Sequence, residues 1–433
     1  MARWGAGLAI VCVLSAQAIA RAQEPAIEAD ASAAPIARAV TATDSLSLRV
    51  PTDLGHDFVL TIGGYVETFF AWSFGEPENG LIAWRGFDNR HATFALSNVS
   101  LRTRLELDRV AVVIALQWGL TPDTYYLAEP VDPDPTVPES VGVGPSTRDW
   151  RFLQEAYVAW DIPILGGVLL EGGLFLSPIG IENLAIREQW NWSRSSLFYG
   201  LPFYHTGLRV STPLGRDLVL HAGIFNGWNS VLDGNDAKSV ALWLGYDAGD
   251  VALQILYFGG IERFDEREGA WRNLFDAWIR VTPLPELSLA LHVDAGFEPI
   301  PASARMPGED ALEWWLASAA YVRVVPVSWL AITARADVFL DRAPGDRAAL
   351  RIFWPTTPLM SSQTLTLQWI PEPYLSFFVE ARHDHAIGPD DASAIGAPRD
   401  QVTPSFFEGS SMVLTSTTQN TLTFGAVATP DGL

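Results

Sequence analysis

Hydrophobic and polar residues alternate along most of the sequence after residue 57. Between residues 287 and 297 every second residue is apolar, namely Leu287, Leu289, Leu291, Val293, Ala295 and Phe297. The same period of two runs through residues 330–340, 364–369 and 421–428. An amphipathic helix would repeat every 3.6 residues, so the pattern predicts β-strands that each have one apolar and one polar face.

The connections between the predicted strands alternate between short and long. Short turns fall at residues 107–109, 162–166, 213–217, 247–250, 283–286, 325–326 and 370–373. Longer polar stretches separate them, at about 74–90, 121–150, 177–204, 227–238, 259–271, 298–310, 341–360 and 385–418. A soluble sandwich also has alternating strands, but tight turns opposite long loops are typical of an outer-membrane barrel. The predicted fold is therefore all-β, a transmembrane antiparallel up-and-down β-barrel of about 16 strands.

The N-terminal part of the chain has a different character. Residues 1–22 are predicted to be a cleaved secretory signal peptide, because an apolar stretch at about 6–14 precedes the small-residue site Ala20-Arg21-Ala22. Residues 23–56 are alanine-rich and polar without periodicity, which predicts a flexible periplasmic N-terminal segment, and residues 57–433 then form the barrel. No later run approaches the roughly 18 apolar residues of a membrane-spanning helix. We therefore expect a chain that is exported and inserted into the bacterial outer membrane through its strands.

Composition narrows the range of partners. Aspartate and glutamate number 50 against 28 lysines and arginines, which gives a net charge of −22. Such a chain has no electrostatic attraction for nucleic acid, and that class of partner is excluded. The single cysteine, Cys12, lies in the predicted signal peptide, so the mature chain has no thiol chemistry. The expected partners are outer-membrane lipid and lipopolysaccharide, small hydrophilic solutes and, if the barrel forms a homo-oligomer, further copies of the chain.

No residue pattern indicates catalysis. The sequence contains no Gly-x-Ser-x-Gly elbow, phosphate-binding loop or His-Glu-x-x-His helix. His383-Asp384-His385 groups three metal-ligand types, but a metal site there needs further ligands from elsewhere, and a loop or pore-mouth position needs none. We therefore predict no enzyme activity, no catalytic or cofactor-binding residue, no cofactor and no bound metal. A membrane-embedded hydrolase, which would need a Ser–His pair, is an alternative that scattered residues leave open.

Charged residues occur on the strand faces opposite the apolar ones. An arginine on the lipid face at mid-bilayer costs about 2–4 kcal/mol, whereas a water-filled lumen removes this cost. We therefore predict an open lumen lined by charges of both signs: Glu67, Arg102, Arg104, Glu155, Glu171, Arg209, Asp276, Arg280, Asp294, Arg323, Arg335, Asp337, Glu380 and Arg382.

The connection 177–204 differs from the other long ones because it is rich in apolar and aromatic residues. Buried apolar residues need a surface to pack on, and the nearest one is the interior of the barrel. By analogy with general porins, we predict that this third loop folds inward and narrows the channel. Its charged residues would then act at the constriction: Glu182, Arg187, Glu188 and Arg194. A cap outside the barrel, or packing against a neighbouring subunit, is the alternative.

Several stretches in the first half of the predicted barrel carry a family resemblance. They are residues 64–72, 85–98, 119–126, 173–182, 191–194, 205–207 and 226–229. In their order and spacing these stretches make residues 57–260 resemble the OmpL-like family of outer-membrane β-barrel porins. The resemblance implies a porin-like channel and carries over no catalytic or cofactor residue.

The predicted function is that of an outer-membrane porin. Small hydrophilic solutes would diffuse passively through the lumen, which the inward-folded loop 177–204 narrows. Two alternatives remain at this point: a secreted soluble β-protein that binds carbohydrate or acts as a hydrolase, and a structural or adhesive barrel that does not conduct.

Overall fold

The computed structural model describes residues 46–50, 58–127, 150–233, 237–262, 270–300, 302, 305, 307–308, 311–342, 359–387 and 418–430. Within these residues the strands are β1 Leu46–Val50, β2 Phe58–Ser73, β3 Thr93–Leu107, β4 Val110–Trp118, β5 Leu153–Ile162, β6 Val168–Leu176, β7 Tyr204–Pro213, β8 Leu218–Phe225, β9 Ser239–Asp247, β10 Val251–Ile261, β11 Trp271–Leu284, β12 Leu287–Pro299, β13 Leu312–Val327, β14 Leu330–Arg342, β15 Leu359–Glu372, β16 Leu375–Ile387 and β17 Thr418–Ala428. A short helix, α1 (Leu120–Leu127), follows β4. None of the helices in these ranges is long and apolar enough to cross a membrane.

Sixteen of the described strands close into a ring. From β2 to β17 each strand pairs antiparallel with the next, and β17 pairs with β2, from Thr421 opposite Ser73 to Ala428 opposite Val66. Closure gives each strand neighbours on both edges, which is how a β-structure satisfies its backbone groups inside a bilayer. The prediction of an antiparallel barrel of about sixteen strands is confirmed.

The strands have the predicted alternation of faces. On β12, Leu291 is 45% exposed, whereas His292 and Asp294 are fully buried. On β15, Leu365 and Trp369 are each 51% exposed. Because the ring is closed, the exposed apolar face is its outside and the buried polar face is its inside. The outer surface is therefore suited to hydrocarbon, and the charged side chains of the strands lie inside.

Two short turns lie further along the chain than predicted. The turns expected at 325–326 and 370–373 belong largely to strands, because β13 continues to Val327 and β15 to Glu372. The pairing skips two residues before each of these ends, between Val324 and Val327 and between Trp369 and Glu372. Pro326 and Pro371 occupy the skipped positions, where the missing N–H of proline removes no ladder hydrogen bond. Proline therefore marks a bulge beside each turn and not the turn itself.

Strand β1 is a feature that the sequence analysis did not predict. Residues 46–50 belong to the predicted flexible segment 23–56, yet they pair antiparallel with the start of β2, from Leu46 opposite Ile62 to Val50 opposite Phe58. Strand β17 covers only the later part of the same edge of β2, from Val66 onward. The physical reason for β1 is that an uncovered edge would leave backbone groups of β2 without partners.

Two long connections lie entirely within the described residues, namely 74–92 and 177–203. The predicted loops 121–150 and 385–418 lie mostly outside the described residues. The connection 177–203 joins β6 to β7 and contains two turns of 3₁₀ helix, Ile186–Glu188 and Leu197–Gly200.

Candidate functional site in the barrel interior

Residues 177–203, here called the crossing segment, extend through the inside of the barrel. In a ring of sixteen strands β6 lies opposite β14, and backbone amides of the crossing segment reach carboxylates on β14 and on nearby strands. Ser196 N donates to Asp337 Oδ1 on β14 over 2.8 Å. Ile186 N donates to Glu67 Oε1 on β2 over 2.6 Å. The crossing segment therefore extends from the wall where it begins to the opposite wall.

Glu380 on β16 is a third carboxylate that binds the crossing segment. Its oxygens accept hydrogen bonds from Trp192 N over 2.7 Å and from Ser193 N over 3.0 Å. The Thr366 hydroxyl donates a further bond to Glu380 Oε2 over 2.7 Å. Hydrogen bonds to an ionised acceptor are about twice as strong as neutral ones, so this carboxylate fixes the position of two consecutive backbone amides.

Apolar packing fixes the same part of the crossing segment. The side chain of Trp192 is fully buried, with its ring centroid 6.0 Å from that of Phe69 and 5.6 Å from that of Phe378. A Cβ atom at Gly425 on β17 would lie only 2.2 Å from Trp192 Cε3, so the indole occupies the space that this glycine leaves. The apolar residues that distinguish this connection in the sequence are thus buried against the inner wall.

Two arginines of the wall donate to backbone carbonyls of the crossing segment. Arg335 Nη1 on β14 donates to Ser193 O over 2.5 Å and to Glu182 Oε1 over 2.9 Å. Arg382 Nη1 on β16 donates to Arg194 O over 2.5 Å. Both arginines are buried, so these two residues, predicted to line the pore, contact protein on all sides.

The connection 74–92 packs against the crossing segment. Gly86 N donates to the Tyr199 hydroxyl oxygen over 2.8 Å, and the rings of Phe87 and Tyr199 stack with centroids 6.2 Å apart. Burial and the nearby Asp88 carboxylate raise the pKa of Tyr199 to about 12, so its hydroxyl is protonated at neutral pH. The two connections therefore pack against each other.

Charged side chains on the wall formed by β3 to β7 remain partly exposed inside the barrel. Arg102 Nη1 lies 3.1 Å from Glu155 Oε2, and the arginine side chain is 28% exposed. Arg209 Nε lies 2.5 Å from Glu171 Oε2. Glu188 of the crossing segment is 46% exposed and interacts electrostatically with Arg102 and Glu155. On this side, then, charges of both signs border solvent.

On the other side of the crossing segment, β11 and β12 bring two carboxylates to one imidazole. His292 Nε2 lies 2.5 Å from Asp276 Oδ2 and 3.2 Å from Asp294 Oδ1, and all three side chains are fully buried.

Arg323 on β13 contacts β15 on the same side of the crossing segment. Its Nη2 donates to Gln368 Oε1 over 2.8 Å.

All the site residues predicted from the sequence lie on the inner face of the barrel or on the crossing segment. Those that hold the crossing segment are Glu67, Glu182, Arg335, Asp337, Glu380 and Arg382. Those grouped on the β3 to β7 side are Arg102, Arg104, Glu155, Glu171, Glu188 and Arg209, whereas Arg187 donates to Thr429 after β17 and lies over the ring of Tyr65 on β2. Asp276 and Asp294 form the group around His292, Arg194 is buried within the crossing segment, and Arg280 and Arg323 are half-buried outside these groups. That these residues line a conducting path stays a prediction.

A buried ion pair beside the crossing segment was not predicted from the sequence. Arg85 Nη1 lies 2.5 Å from Asp88 Oδ2, and Arg85 Nε lies 3.6 Å from Asp384 Oδ2. Asp384 continues the inward alternation of Glu380 and Arg382 along β16, and that alternation is the signal that could have identified it. His383, in contrast, faces away from Asp384, so the sequence His383-Asp384-His385 does not converge on one point.

Comparisons with known proteins agree with this architecture. A family model described as "Putative beta-barrel porin-2, OmpL-like" matches residues 59–429. The outer membrane protein OmpT of Vibrio cholerae is similar with a TM-score of 0.53 at 8% identity, over 88% of this chain and 99% of that one. The outer membrane channel DcaP of Acinetobacter baumannii has a TM-score of 0.52 at 10% identity, over 88% and 99% of the two chains. The anion-selective porin from Comamonas acidovorans has a TM-score of 0.51 at 10% identity, over 86% and 99%. At such identities the likeness shows the fold alone, and no curated protein matches the sequence.

Proposed function

The chain belongs to the OmpL-like beta-barrel porin-2 family, and from this premise we propose how its channel selects solutes. The protein is an outer-membrane porin. We propose that small hydrophilic solutes diffuse passively through its water-filled interior, that the crossing segment narrows their path, and that they leave chemically unchanged. Outer-membrane lipid and lipopolysaccharide surround the apolar outer face.

The observation that carries this proposal is the set of backbone amides bound to carboxylates across the interior. Glu67, Asp337 and Glu380 lie on three different strands of the ring, and each accepts at least one amide hydrogen bond from the crossing segment. A barrel of about sixteen strands leaves an aqueous channel when nothing fills it. A segment held at three points occupies part of that cross-section, so solutes pass beside it.

Charge at the remaining opening would set which solutes pass. Glu188 on the crossing segment and Arg102 on the wall are partly exposed and interact electrostatically. Opposite charges across a narrow water-filled gap create a transverse field that orients dipolar solutes and sets ion preference. We therefore propose that the path on the β3 to β7 side favours small polar solutes over apolar ones of the same size.

We further propose that the barrel associates with copies of itself. A solved form of Vibrio cholerae OmpT, which shares the fold, is described as a trimer. Chemical cross-linking in isolated outer membranes tests this proposal, and cross-linked species no larger than one chain would contradict it.

Recording from single channels in planar bilayers tests the proposed narrowing. The wild-type protein is expected to conduct, and deletion of residues 186–191 is expected to raise its conductance, because it removes the contact of Ile186 with Glu67. Heat-modifiable migration on gels controls for folding of both proteins. An inserted wild-type barrel without conductance would indicate a structural or adhesive barrel. Equal conductance of both proteins would place the crossing segment outside the solute path.

A further inference from the structure

The most unusual group of titratable side chains inside the barrel lies on β11 and β12. Asp276 and Asp294 are directly opposite each other in the strand pairing. His292 and Asp294 are two residues apart on one strand, so their side chains share a face. Ligand atoms of the three residues all lie within 4.8 Å of one another. The pairing of the two strands thus brings one imidazole and two carboxylates to a single point.

This group lacks the arginine that accompanies several other buried carboxylates of the barrel. Asp337 has Arg335 Nε within 3.2 Å and Glu171 has Arg209 Nε within 2.5 Å, but no described arginine or lysine forms an ion pair with Asp276 or Asp294. A protonated His292 would balance at most one of the two carboxylates, so the three side chains together still leave one buried negative charge without a counter-charge, which is strongly unfavourable.

Several ligand atoms of the group also lack hydrogen-bond donors. Neither carboxylate oxygen of Asp294 accepts a well-formed hydrogen bond from the described residues, and the same holds for Asp276 Oδ1. Asp294 is fully buried, so water at the protein surface does not satisfy these oxygens. His292 Nε2 and Asp276 Oδ2 are within hydrogen-bond distance at 2.5 Å, but this contact leaves Asp276 Oδ1 and both oxygens of Asp294 as buried acceptors that a bound cation would satisfy.

We propose that Asp276, His292 and Asp294 bind one zinc ion in the inner wall of the barrel. Zinc takes imidazole nitrogen at about 2.0–2.1 Å and carboxylate oxygen at about 2.0–2.2 Å, and three protein ligands leave a fourth position for water. Ligand atoms of a tetrahedral site lie roughly 3.4 Å apart at these bond lengths. His292 Nε2 lies 3.2 Å from Asp294 Oδ1, close to that value, and 2.5 Å from Asp276 Oδ2, so zinc binding requires the Asp276 carboxylate to move away from the imidazole by about 0.9 Å. An imidazole ligand favours zinc over calcium and magnesium, which prefer oxygen ligands alone.

The crossing segment covers this site. Gly180 adopts φ +90°, and a Cβ atom at this position would lie 3.0 Å from His292 Cε1. The absence of a side chain therefore lets the crossing segment approach the imidazole. The site is thus closed off between the wall and the crossing segment, which favours slow exchange of the ion.

Metal analysis of the whole folded protein tests the proposal. The protein is purified from outer membranes in detergent, stripped with a chelator, given zinc chloride and freed of unbound zinc by gel filtration. Wild type is expected to retain one zinc ion per chain in the presence of excess calcium and magnesium. His292→Gln and Asp294→Asn are expected to weaken zinc binding at least about 100-fold. His383→Gln, which removes a histidine from the opposite face of β16, is the matched control and should bind zinc as wild type does.

The visible absorption of cobalt(II) in the wild-type protein gives a second measurement that needs no variant. A tetrahedral site produces strong absorption bands that zinc abolishes on addition. Wild-type protein that is folded yet retains neither ion would overturn the proposal. Equal zinc retention by wild type and both site variants would place the ion elsewhere and would overturn it as well. Displacement of zinc by calcium or magnesium would overturn the choice of metal.

Discussion

Replacing Glu380 with glutamine tests whether contacts at the opposite wall hold the crossing segment. The native carboxylate accepts one amide hydrogen bond on each oxygen, from Trp192 N and Ser193 N. Glutamine has the same shape, but its NH₂ group is a donor and cannot accept. In Glu380→Gln, one of the two backbone amides therefore faces another donor in a site closed to water.

The size of the effect follows from these contacts. A hydrogen bond to a charged group contributes about 1.5–3 kcal/mol, and a buried donor left without a partner costs about 1–3 kcal/mol. The Glu380→Gln change should therefore weaken docking of the crossing segment by about 2–3 kcal/mol. Since about 1.4 kcal/mol corresponds to a factor of ten, the ratio of undocked to docked molecules should rise about 30- to 150-fold.

Single-channel recording measures this ratio as the fraction of time spent in a state of higher conductance. Glu171→Gln is the matched control, because it removes one inward carboxylate that binds Arg209 and does not contact the crossing segment. Both variants lose one inward carboxylate, but only Glu380→Gln loses an acceptor for backbone amides of the crossing segment, so only Glu380→Gln should add a state of higher conductance. If Glu380→Gln and Glu171→Gln give the same conductance states with the same lifetimes, the amide–carboxylate contacts do not control the channel.

Three further substitutions test other parts of the structure. Leu291→Arg places a charge on the lipid-facing side of β12 and should destabilise the inserted barrel by about 2–4 kcal/mol, measured by urea unfolding in lipid vesicles. Wild-type stability of this variant would contradict the assignment of faces. Gly425→Ala should displace Trp192 and raise conductance, because the new Cβ would lie 2.2 Å from the indole, whereas Gly245→Ala has its nearest neighbour at 3.9 Å and should behave as wild type. Glu188→Lys adds positive charge at the opening and should move the reversal potential in a salt gradient toward anion preference. An unmoved potential would exclude Glu188 from the ion path.

The strands could be predicted from the sequence because the membrane requires every strand to have an apolar outer face, which gives an apolar residue at each second position. On β12 an apolar residue at each second position is required wherever lipid lies outside and water or protein inside, so Leu291 and His292 were assigned to opposite faces correctly. Turn positions were less predictable at Pro326 and Pro371. Proline excludes a ladder hydrogen bond, but a bulge within the strand meets that constraint as well as a turn does.

The partners of inward-facing residues could not be predicted in the same way. Alternation places Glu380 on the inner face but does not reveal that it binds the amide of Trp192, which is 188 residues away in the sequence. Likewise, the meeting of His292 with Asp276 depends on the register between β11 and β12, and the sequence pattern leaves this register open by steps of two residues. Sequence periodicity therefore identified the faces, and only the folded chain identified the contacts across the interior.

Strand β1 has a consequence for the order in which the barrel forms. Its pairing with β2 is local in sequence, whereas the pairing of β17 with β2 joins residues more than 300 positions apart and carries the larger loop-closure entropy. We therefore expect β1 to occupy its part of the β2 edge before β17 arrives. When β17 pairs with β2, only the backbone groups of Val66–Ser73 on that edge are still unpaired. The register of β17 therefore cannot shift toward the start of β2. A slip of one residue would turn every side chain of β17 to the wrong face, and β1 thus acts as a stop that limits such slips as the ring closes.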